Sequence, residues 1–207
     1  NMIINMILTQ VFGTNMYIKC KYTRDNLDVD FYPHLLTPEL AHGWYTYLES
    51  IIPHEKRRST LLFGDPGLLY NITYRGIATT QPIIPWTDLP PIIQLKELVE
   101  KITGQKYTVC VVQRYSNGYV GINPHRDKEM VLGTRICGLS LGATRTISFT
   151  KTIYGNPIPL DQVNIPLISG SMYVMNPPTN QKWLHSIVKE PSIKESRISL
   201  TFRDYVG

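Results

Sequence analysis

A chain of 207 residues, 43% hydrophobic and 18% charged, can bury a core as one large domain or two small ones, which excludes a disordered or fibrous protein. Its 21 Lys and Arg against 16 Asp and Glu leave a net charge of +5, a mild excess that favours a polyanionic partner without requiring one. The apolar opening NMIINMILTQVF lacks a charged leader and a cleavage pattern, and no run approaches about 18 apolar residues, so we expect neither secretion nor a membrane span.

The cysteines indicate the compartment. Cys20, Cys110 and Cys137 are odd in number and have no paired spacing, which argues against a disulfide framework and against a thiolate zinc site. We therefore expect buried free thiols in an intracellular protein of the nucleus, the cytoplasm or both.

Two helices are predicted before residue 107. In LLTPELAHGWYTYLESIIP, Thr37 can cap a helix, Pro38 can occupy its first position, and Pro53 ends the run. The predicted apolar face of this helix consists of Leu40, Trp44, Tyr47, Leu48 and Ile51.

The second predicted helix is PPIIQLKELVEKITG. Its apolar residues recur at helical spacing, and Gly104 is suited to end it. The apolar face consists of Ile92, Leu95, Val99 and Ile102. We expect both helices to pack against one sheet rather than to form a separate domain.

From Tyr107 onward the sequence pattern is that of short strands separated by turns rich in Gly, Pro and Asn. The predicted strands are YTVCVVQRY, RICGLSL, TRTISFTK, SMYVMN, WLHSIV and RISLTFRDY. Many short strands without intervening helices predict an antiparallel barrel or sandwich.

His125 and Asp127, in INPHRDKEM, are two residues apart. On an extended chain residues i and i+2 point to the same side, so an imidazole and a carboxylate could share one metal ion. A polar loop that happens to contain a histidine explains the pair equally well, because this spacing arises easily by chance.

Three distant residues complete a more specific pattern. His185, in NQKWLHSIV, can add the third ligand of a two-histidine, one-carboxylate facial triad, which leaves three positions of an octahedral iron(II) open. Arg197 and Arg203, in RISLTFR, are six residues apart and thus lie on one strand face, where their guanidinium groups can hold a small diacid. Taken singly, each is more often an ordinary core or surface residue.

In this order, the residues resemble the AlkB-like iron(II)- and 2-oxoglutarate-dependent dioxygenases, and most closely the eukaryotic AlkB homologues that repair alkylated DNA. The similar blocks, spanning about Leu61 to Tyr205, are GDPGLLY, ITGQKY, QRYSNGYVGINPHRDKE, SLGATRTISF, GSMYVMNPPTNQKWLHS and RISLTFR. The resemblance implies a mainly β fold with flanking helices: a double-stranded β-helix, or jelly roll, with an N-terminal α/β extension.

The resemblance also implies roles for individual residues. His125, Asp127 and His185 would bind Fe(II) and form the catalytic centre. The co-substrate 2-oxoglutarate would contact Gln113, Tyr115, Arg197, Thr201 and Arg203, with Arg197 on its distal carboxylate and Arg203 nearer the metal. Gln113 and Ser199 replace residues that are usually Asn in this family, which predicts rearranged hydrogen bonds around the co-substrate.

For the substrate, the resemblance implies an N-alkylated base such as 1-methyladenine or 3-methylcytosine in single- or double-stranded DNA, flipped out to reach the metal. The candidate contacts are Tyr70, Ile72 and Tyr74 as flat walls, with Lys128 and Glu129 at the base edge. Two core-facing tyrosines on an ordinary strand, and a solvated loop carboxylate, remain alternative interpretations.

One domain is expected overall, in a monomer. Residues 1–30 form a segment of unclear role, 31–106 a helical, nucleotide-recognition part, and 107–207 the jelly-roll catalytic core. Alternatives to DNA dealkylation are an RNA or protein demethylase on the same scaffold, or a non-catalytic nucleic-acid-binding module.

Overall fold

The computed structural model describes residues 3–10, 16–54, 56–74, 77–153 and 156–205. The helices are α1 (Pro38–Ile51), α2 (Pro90–Thr103) and the short α3 (Thr179–Lys182), with a 3-10 turn at Trp86–Asp88. The strands are β1 (Ile3–Gln10), β2 (Met16–Arg24), β3 (Leu27–Tyr32), β4 (Arg58–Gly64), β5 (Tyr70–Tyr74), β6 (Ile77–Gln81), β7 (Ile84–Pro85), β8 (Val109–Tyr115), β9 (Ile122–His125), β10 (Ile136–Gly142), β11 (Arg145–Ile153), β12 (Asn156–Leu167), β13 (Met172–Met175), β14 (Trp183–Ile187) and β15 (Arg197–Arg203).

Two sheets sandwich an apolar core. The larger has the strand order β1-β2-β3-β13-β10-β15-β8-β4-β7 and the smaller the order β12-β11-β14-β9. Residues of both sheets, among them Phe31, Ile136, Phe149 and Trp183, form one buried cluster between them. This arrangement is the predicted jelly roll, with all six predicted strands after Tyr107 present and β9 and β12 in addition.

The side chains of β15 alternate between the two faces of the larger sheet. Its even-numbered residues, Ile198, Leu200 and Phe202, join the core cluster that the helices cover. Its odd-numbered residues therefore point to the opposite face, towards the smaller sheet. This period of two places Arg197 and Arg203 on the same face, as predicted.

Helix α1 begins and ends as predicted, but its apolar face was predicted correctly only in part: Leu48 is buried and Trp44 is half-buried against the core. The Thr37 hydroxyl accepts a hydrogen bond from the Leu40 backbone N–H at 3.3 Å, a regular N-cap. The buried residues of the helix are Ala41 and Leu48, whereas Leu40 is 56% exposed. Tyr47 and Ile51 are exposed as well. Apolar residues line both sides of this helix, so their periodicity does not indicate which side is buried. The side that contains the small residue Ala41 packs closely against the core.

Helix α2 was predicted correctly: Ile92, Leu95 and Val99 are buried, and Gly104 ends the helix in the left-handed conformation with φ 66°. Glu100 is also buried, which the apolar pattern did not indicate. Its carboxylate accepts hydrogen bonds from Lys96 Nζ at 2.6 Å, Lys106 Nζ at 2.7 Å and the Tyr107 backbone N–H at 3.0 Å. The three donors compensate the buried charge of Glu100, which therefore stabilises the turn between α2 and β8.

Strands β1, β2 and β3 extend the larger sheet. β3 pairs antiparallel with β13, Tyr32 opposite Met172, and β2 and β1 follow outward. The segment without an assigned role thus supplies three strands that cover the β13 edge. Neither α1 nor α2, each of 14 residues, is long enough to span a bilayer, and the described part of the chain contains no other helix that is.

Candidate metal and co-substrate site

The register of the smaller sheet brings the two predicted histidine ligands together. β9 pairs antiparallel with β14, and His125 lies directly opposite His185. Their ring centroids are 4.3 Å apart. Asp127 follows two residues after the end of β9, so one strand pair and the turn after it supply all three side chains.

The three donor groups face a common point. His125 Nε2 is 3.6 Å from Asp127 Oδ1, and His185 Nε2 is 3.9 Å from Asp127 Oδ2. These distances are too long for hydrogen bonds, and candidate ligand atoms of the three residues all lie within 4.8 Å of one another. His125 Nδ1 is 2.9 Å from the Asn123 carbonyl, an arrangement in which Nδ1 carries the proton and Nε2 is free to bind a metal.

Burial sets the protonation states of the cluster. It lowers the pKa of His185 to about 4, which keeps the imidazole neutral, as metal binding requires. Burial raises the pKa of Asp127, but the positive charge of Arg203 outweighs that effect and holds the pKa well below its usual range. Asp127 Oδ2 is buried and has no hydrogen-bond partner among the described residues. Two imidazoles and one carboxylate with an unused buried oxygen are a ligand set that fits iron(II).

Asn180 holds the loop that carries Asp127. The Asp127 backbone N–H donates to Asn180 Oδ1 at 3.0 Å, and Asn180 Nδ2 donates to the Asp127 carbonyl at 2.8 Å. This paired hydrogen bond fixes the backbone of a metal-ligand candidate from α3. Residue-type patterns gave no signal for Asn180, since the contact is between residues 53 apart in sequence.

Arg203 contacts the metal cluster directly. Its Nη2 lies 2.9 Å from Asp127 Oδ1, and the side chains are 13% and 4% exposed. Its Nη1 donates to the Tyr70 hydroxyl at 2.9 Å. Arg203 is therefore at the metal end of the site, where the sequence predicted it.

Arg197 lies at the other end of the same face and is 1% exposed. Its Nε donates to Ser140 Oγ at 2.8 Å and its Nη2 to Ser199 Oγ at 3.3 Å, and the guanidinium is 5.3 Å from the centre of the Tyr115 ring. No carboxylate of the described residues forms a salt bridge with it, and its buried Nη1 has no partner within that part of the chain. A buried cation with an unused donor fits an anionic ligand such as a carboxylate of 2-oxoglutarate.

The residues that depart from the family pattern are cross-strand neighbours. β8 and β15 pair Tyr115 with Arg197 and Gln113 with Ser199. The Tyr115 hydroxyl donates to Gln113 Oε1 at 3.0 Å, and Ser199 accepts from Arg197 Nη2, so both departures from the pattern form hydrogen bonds at this end of the site. Thr201 is half-buried on the same face, between Ser199 and Arg203.

Tyr173 is a site residue that the sequence analysis missed. It pairs with Gly138 across β10 and β13, and a Cβ on that glycine would lie 2.2 Å from the Tyr173 ring. Burial, together with the charge of Asp127, raises the pKa of Tyr173 far above the usual range, while Arg197 and Arg203 oppose the rise. Gly138 also pairs with Thr201 of β15, so the register places Tyr173 on the sheet face that carries Arg197 and Arg203. A glycine in an otherwise apolar strand was the available signal.

The predicted substrate residues are only partly described. Tyr70 is 4% exposed, and its ring packs against that of Tyr205 with centroids 4.9 Å apart. Ile72 and Tyr74 lie on β5, but their side chains are outside the described part. Lys128 is exposed and Glu129 half-buried on the loop after Asp127. The negative charge of Glu129 is one of the smaller causes that raise the pKa values of Tyr70 and Arg203.

Comparison with known proteins gave consistent matches. The profile of the 2OG-Fe(II) oxygenase superfamily matches residues 68–203. DNA oxidative demethylase ALKBH2 of Mus musculus is 34% identical over 155 residues, covering 72% of this chain and 62% of that protein. Alpha-ketoglutarate-dependent dioxygenase alkB homolog 3 of Homo sapiens is 32% identical over 185 residues, covering 86% of this chain and 62% of that protein.

The fold has a solved counterpart. The structure of OsALKBH1 superposes with a TM-score of 0.58 at 14% identity, covering 88% of this chain and all of that one. The chain spans only 51% to 62% of the length of the curated relatives that it matches.

Proposed function

Because the chain belongs to the 2OG-Fe(II) oxygenase superfamily, we propose that it removes alkyl groups oxidatively from N-alkylated bases in DNA, 1-methyladenine and 3-methylcytosine among them. The observation that carries the proposal is one face of β15: at one end Arg203 contacts Asp127 of the His125, Asp127 and His185 cluster, and at the other end buried Arg197 has no carboxylate partner among the described residues. The names of the ALKBH2 and ALKBH3 relatives support the choice of DNA.

In this proposal His125 Nε2, His185 Nε2 and the Asp127 carboxylate hold the iron. Bound iron, with dioxygen and 2-oxoglutarate, supplies the oxidation of an N-methyl C–H bond to N–CH₂OH, with succinate and carbon dioxide as co-products. The hydroxymethyl group then leaves the nitrogen as formaldehyde. The neutral state of His185, maintained by burial, keeps its nitrogen lone pair available to the metal.

Arg197 binds the distal carboxylate of 2-oxoglutarate. Its unpaired Nη1 provides the donor, and Ser140 and Ser199 hold the guanidinium in place. Tyr115 and Gln113 line the same end, and Thr201 lies between the two arginines. Arg203 neutralises Asp127 at the metal end and sets its orientation.

The alkylated base enters over the loop after Asp127. Glu129 accepts a hydrogen bond from the exocyclic amine or faces the positive charge of the alkylated ring, and exposed Lys128 lies close enough along the loop to meet a phosphate or the base edge. Tyr70 lines the floor of this entrance, with Ile72 and Tyr74 on the same strand as further candidates. The enzyme acts as a monomer in the nucleus or cytoplasm, where its substrate is found.

The decisive experiment measures demethylation by mass spectrometry. Oligonucleotides that contain 1-methyladenine or 3-methylcytosine are incubated as single and double strands of DNA and as RNA, together with methylated peptides. Each reaction is run with and without Fe(II) and 2-oxoglutarate. We expect mass loss on DNA only when both are supplied. Turnover of RNA or peptide alone would replace the DNA assignment, and no turnover of any substrate would refute the proposal.

Glu129→Gln tests the base contact. Loss of the carboxylate charge should weaken kcat/KM on the cationic 1-methyladenine by about tenfold, since a hydrogen bond to a charged group contributes about 1.5 kcal/mol. Glu97→Gln, which removes an exposed carboxylate from α2, is the matched control and should leave kcat/KM unchanged. Equal rates for both variants would show that Glu129 is only a solvated loop residue.

A further inference from the structure

The β5–β6 hairpin is joined to the C-terminal strand by two tyrosines. The hairpin forms a separate two-stranded sheet. At its start the Asn71 backbone N–H donates to the Tyr205 hydroxyl at 2.8 Å, and the Tyr70 hydroxyl accepts from Arg203 Nη1 at 2.9 Å. The rings of Tyr70 and Tyr205 pack together. The hydrogen bonds of both hydroxyls therefore hold the start of β5 against the end of the chain segment that follows β15.

Only one of these two contacts continues to the metal cluster. The guanidinium that donates to Tyr70 through Nη1 also holds Asp127 Oδ1 through Nη2 at 2.9 Å. All three side chains are largely buried, where a charge-assisted hydrogen bond is strong and poorly screened. Tyr70 thus reaches an iron-ligand candidate through one intervening residue.

The chain of contacts determines which carboxylate oxygen is available. Arg203 occupies Oδ1, and Oδ2 remains buried without a hydrogen-bond partner in the described ranges. Arg203 Nε likewise lacks a partner there, so the Tyr70 hydroxyl is what limits rotation of the guanidinium away from the Asp127 side. If that hydroxyl is removed, Arg203 is held by Asp127 alone, and the two can move together.

We propose that Tyr70 is a positioning residue for the metal centre, which fixes the orientation of the Asp127 carboxylate through Arg203. This inference rests on the proposed function only in taking His125, Asp127 and His185 as metal ligands. It assigns to Tyr70 a role separate from any contact with the base, and it links the hairpin at the substrate entrance to the ligand geometry.

The test uses Co(II), which reports its own coordination by visible absorption, in the absence of nucleic acid. Tyr70→Phe removes the hydroxyl and keeps the ring. We expect the Kd for Co(II) to rise about 10- to 100-fold, the usual effect of losing an outer-shell partner, with a changed absorption band. Tyr205→Phe is the matched control, because it removes the other hydroxyl from the same ring pair without touching Arg203, and it should leave both readouts unchanged.

A mutant cycle separates positioning from simple support of the fold. Arg203→Lys keeps the positive charge but loses the fork that joins Tyr70 and Asp127. If Tyr70 acts through Arg203, the double variant Tyr70→Phe/Arg203→Lys should bind Co(II) no more weakly than Arg203→Lys alone. Multiplicative losses, an unchanged Kd in Tyr70→Phe, or an equal loss in Tyr205→Phe would each overturn the proposal. A demethylation failure with these Co(II) results intact would refute the substrate and leave the positioning role standing.

Discussion

Arg197→Met is expected to abolish 2-oxoglutarate binding while it changes the free energy of unfolding only modestly. The substitution keeps an unbranched chain in the same space and removes a buried positive charge that has no carboxylate partner among the described residues. Burial lowers the pKa of the Arg197 guanidinium, which is the sign of an unfavourable environment for its charge. The proposed role of this charge is to bind a carboxylate of 2-oxoglutarate.

The magnitude follows from the contacts that are lost. Two serine hydroxyls, Ser140 and Ser199, lose a charged donor at about 1 kcal/mol each. Replacement of buried ionic groups by packed apolar side chains returns about 1 to 4 kcal/mol. We therefore expect a change in the free energy of unfolding of about 2 kcal/mol or less, in either direction. At one hundred times its Kd, 2-oxoglutarate should add about 2.7 kcal/mol to the parent protein and nothing to the variant.

Urea denaturation followed by circular dichroism, with Co(II) present and with or without 2-oxoglutarate, measures both effects. Arg145→Met is the matched control, because Arg145 is equally buried but paired with Glu190 at 3.1 Å and hydrogen-bonded to the carbonyls of Asn117, Val120 and Val188. It should lose about 3 to 5 kcal/mol. A comparable loss in Arg197→Met, or retained stabilisation by 2-oxoglutarate, would refute the reasoning.

Three further predictions concern separate parts of the molecule. Glu100→Gln should lower the free energy of unfolding by about 2 kcal/mol at neutral pH in urea titrations, because the charged hydrogen bonds to Lys96 and to the Tyr107 N–H are lost, whereas Lys106 is 88% exposed and stays hydrated. Burial raises the pKa of Glu100, but its hydrogen bonds outweigh this and lower the pKa overall. The stabilisation by the carboxylate is therefore complete above the ordinary glutamate pKa and is lost as the pH falls through the lowered pKa of the folded protein. A Glu100→Gln variant with the parental pH profile of stability would contradict this prediction. Gly138→Ala should cost about 1 to 3 kcal/mol in the same assay, since the new methyl overlaps the Tyr173 ring; an unchanged midpoint would show that the ring can move freely. His125→Ala should abolish turnover while fluorescence-anisotropy binding of oligonucleotides is largely retained, and turnover by this variant would exclude His125 as a ligand.

The chemistry of the site could be predicted from sequence because it depends on residue type and on strand periodicity. Arg197 and Arg203 share a face because any even separation does so on a strand, and β15 is regular over all seven residues. The meeting of His125 and His185 is different in kind. It depends on the register of β9 against β14, which local pattern does not specify, and only the resemblance predicted it.

The contacts that sequence could not predict are those between side chains of distant elements. The choice of the Ala41 side of α1, the burial of Glu100 and the hydrogen bonds from Asn180 to the Asp127 backbone all depend on which surfaces meet in the folded protein. Tyr70 illustrates the difference most clearly. Its residue type suggested a flat wall for a base, whereas its hydroxyl contact with Arg203 depends on where the hairpin lies against β15.

The distribution of charge along the face of β15 that carries Arg197 and Arg203 supports a dicarboxylate as the ligand and the orientation proposed for it. At the metal end the positive charge of Arg203 is already matched by Asp127, and the histidines are neutral ligands, so a divalent cation there adds positive charge that the described residues do not offset. At the far end Arg197 carries a buried charge with no partner at all in those residues. A ligand with one anionic end for the metal and another for Arg197 lowers the excess positive charge at both ends, whereas a monoanion can lower it at only one of them. Because Asp127 already pairs with Arg203, the proposed orientation places the distal carboxylate at Arg197 and the keto acid end towards the metal.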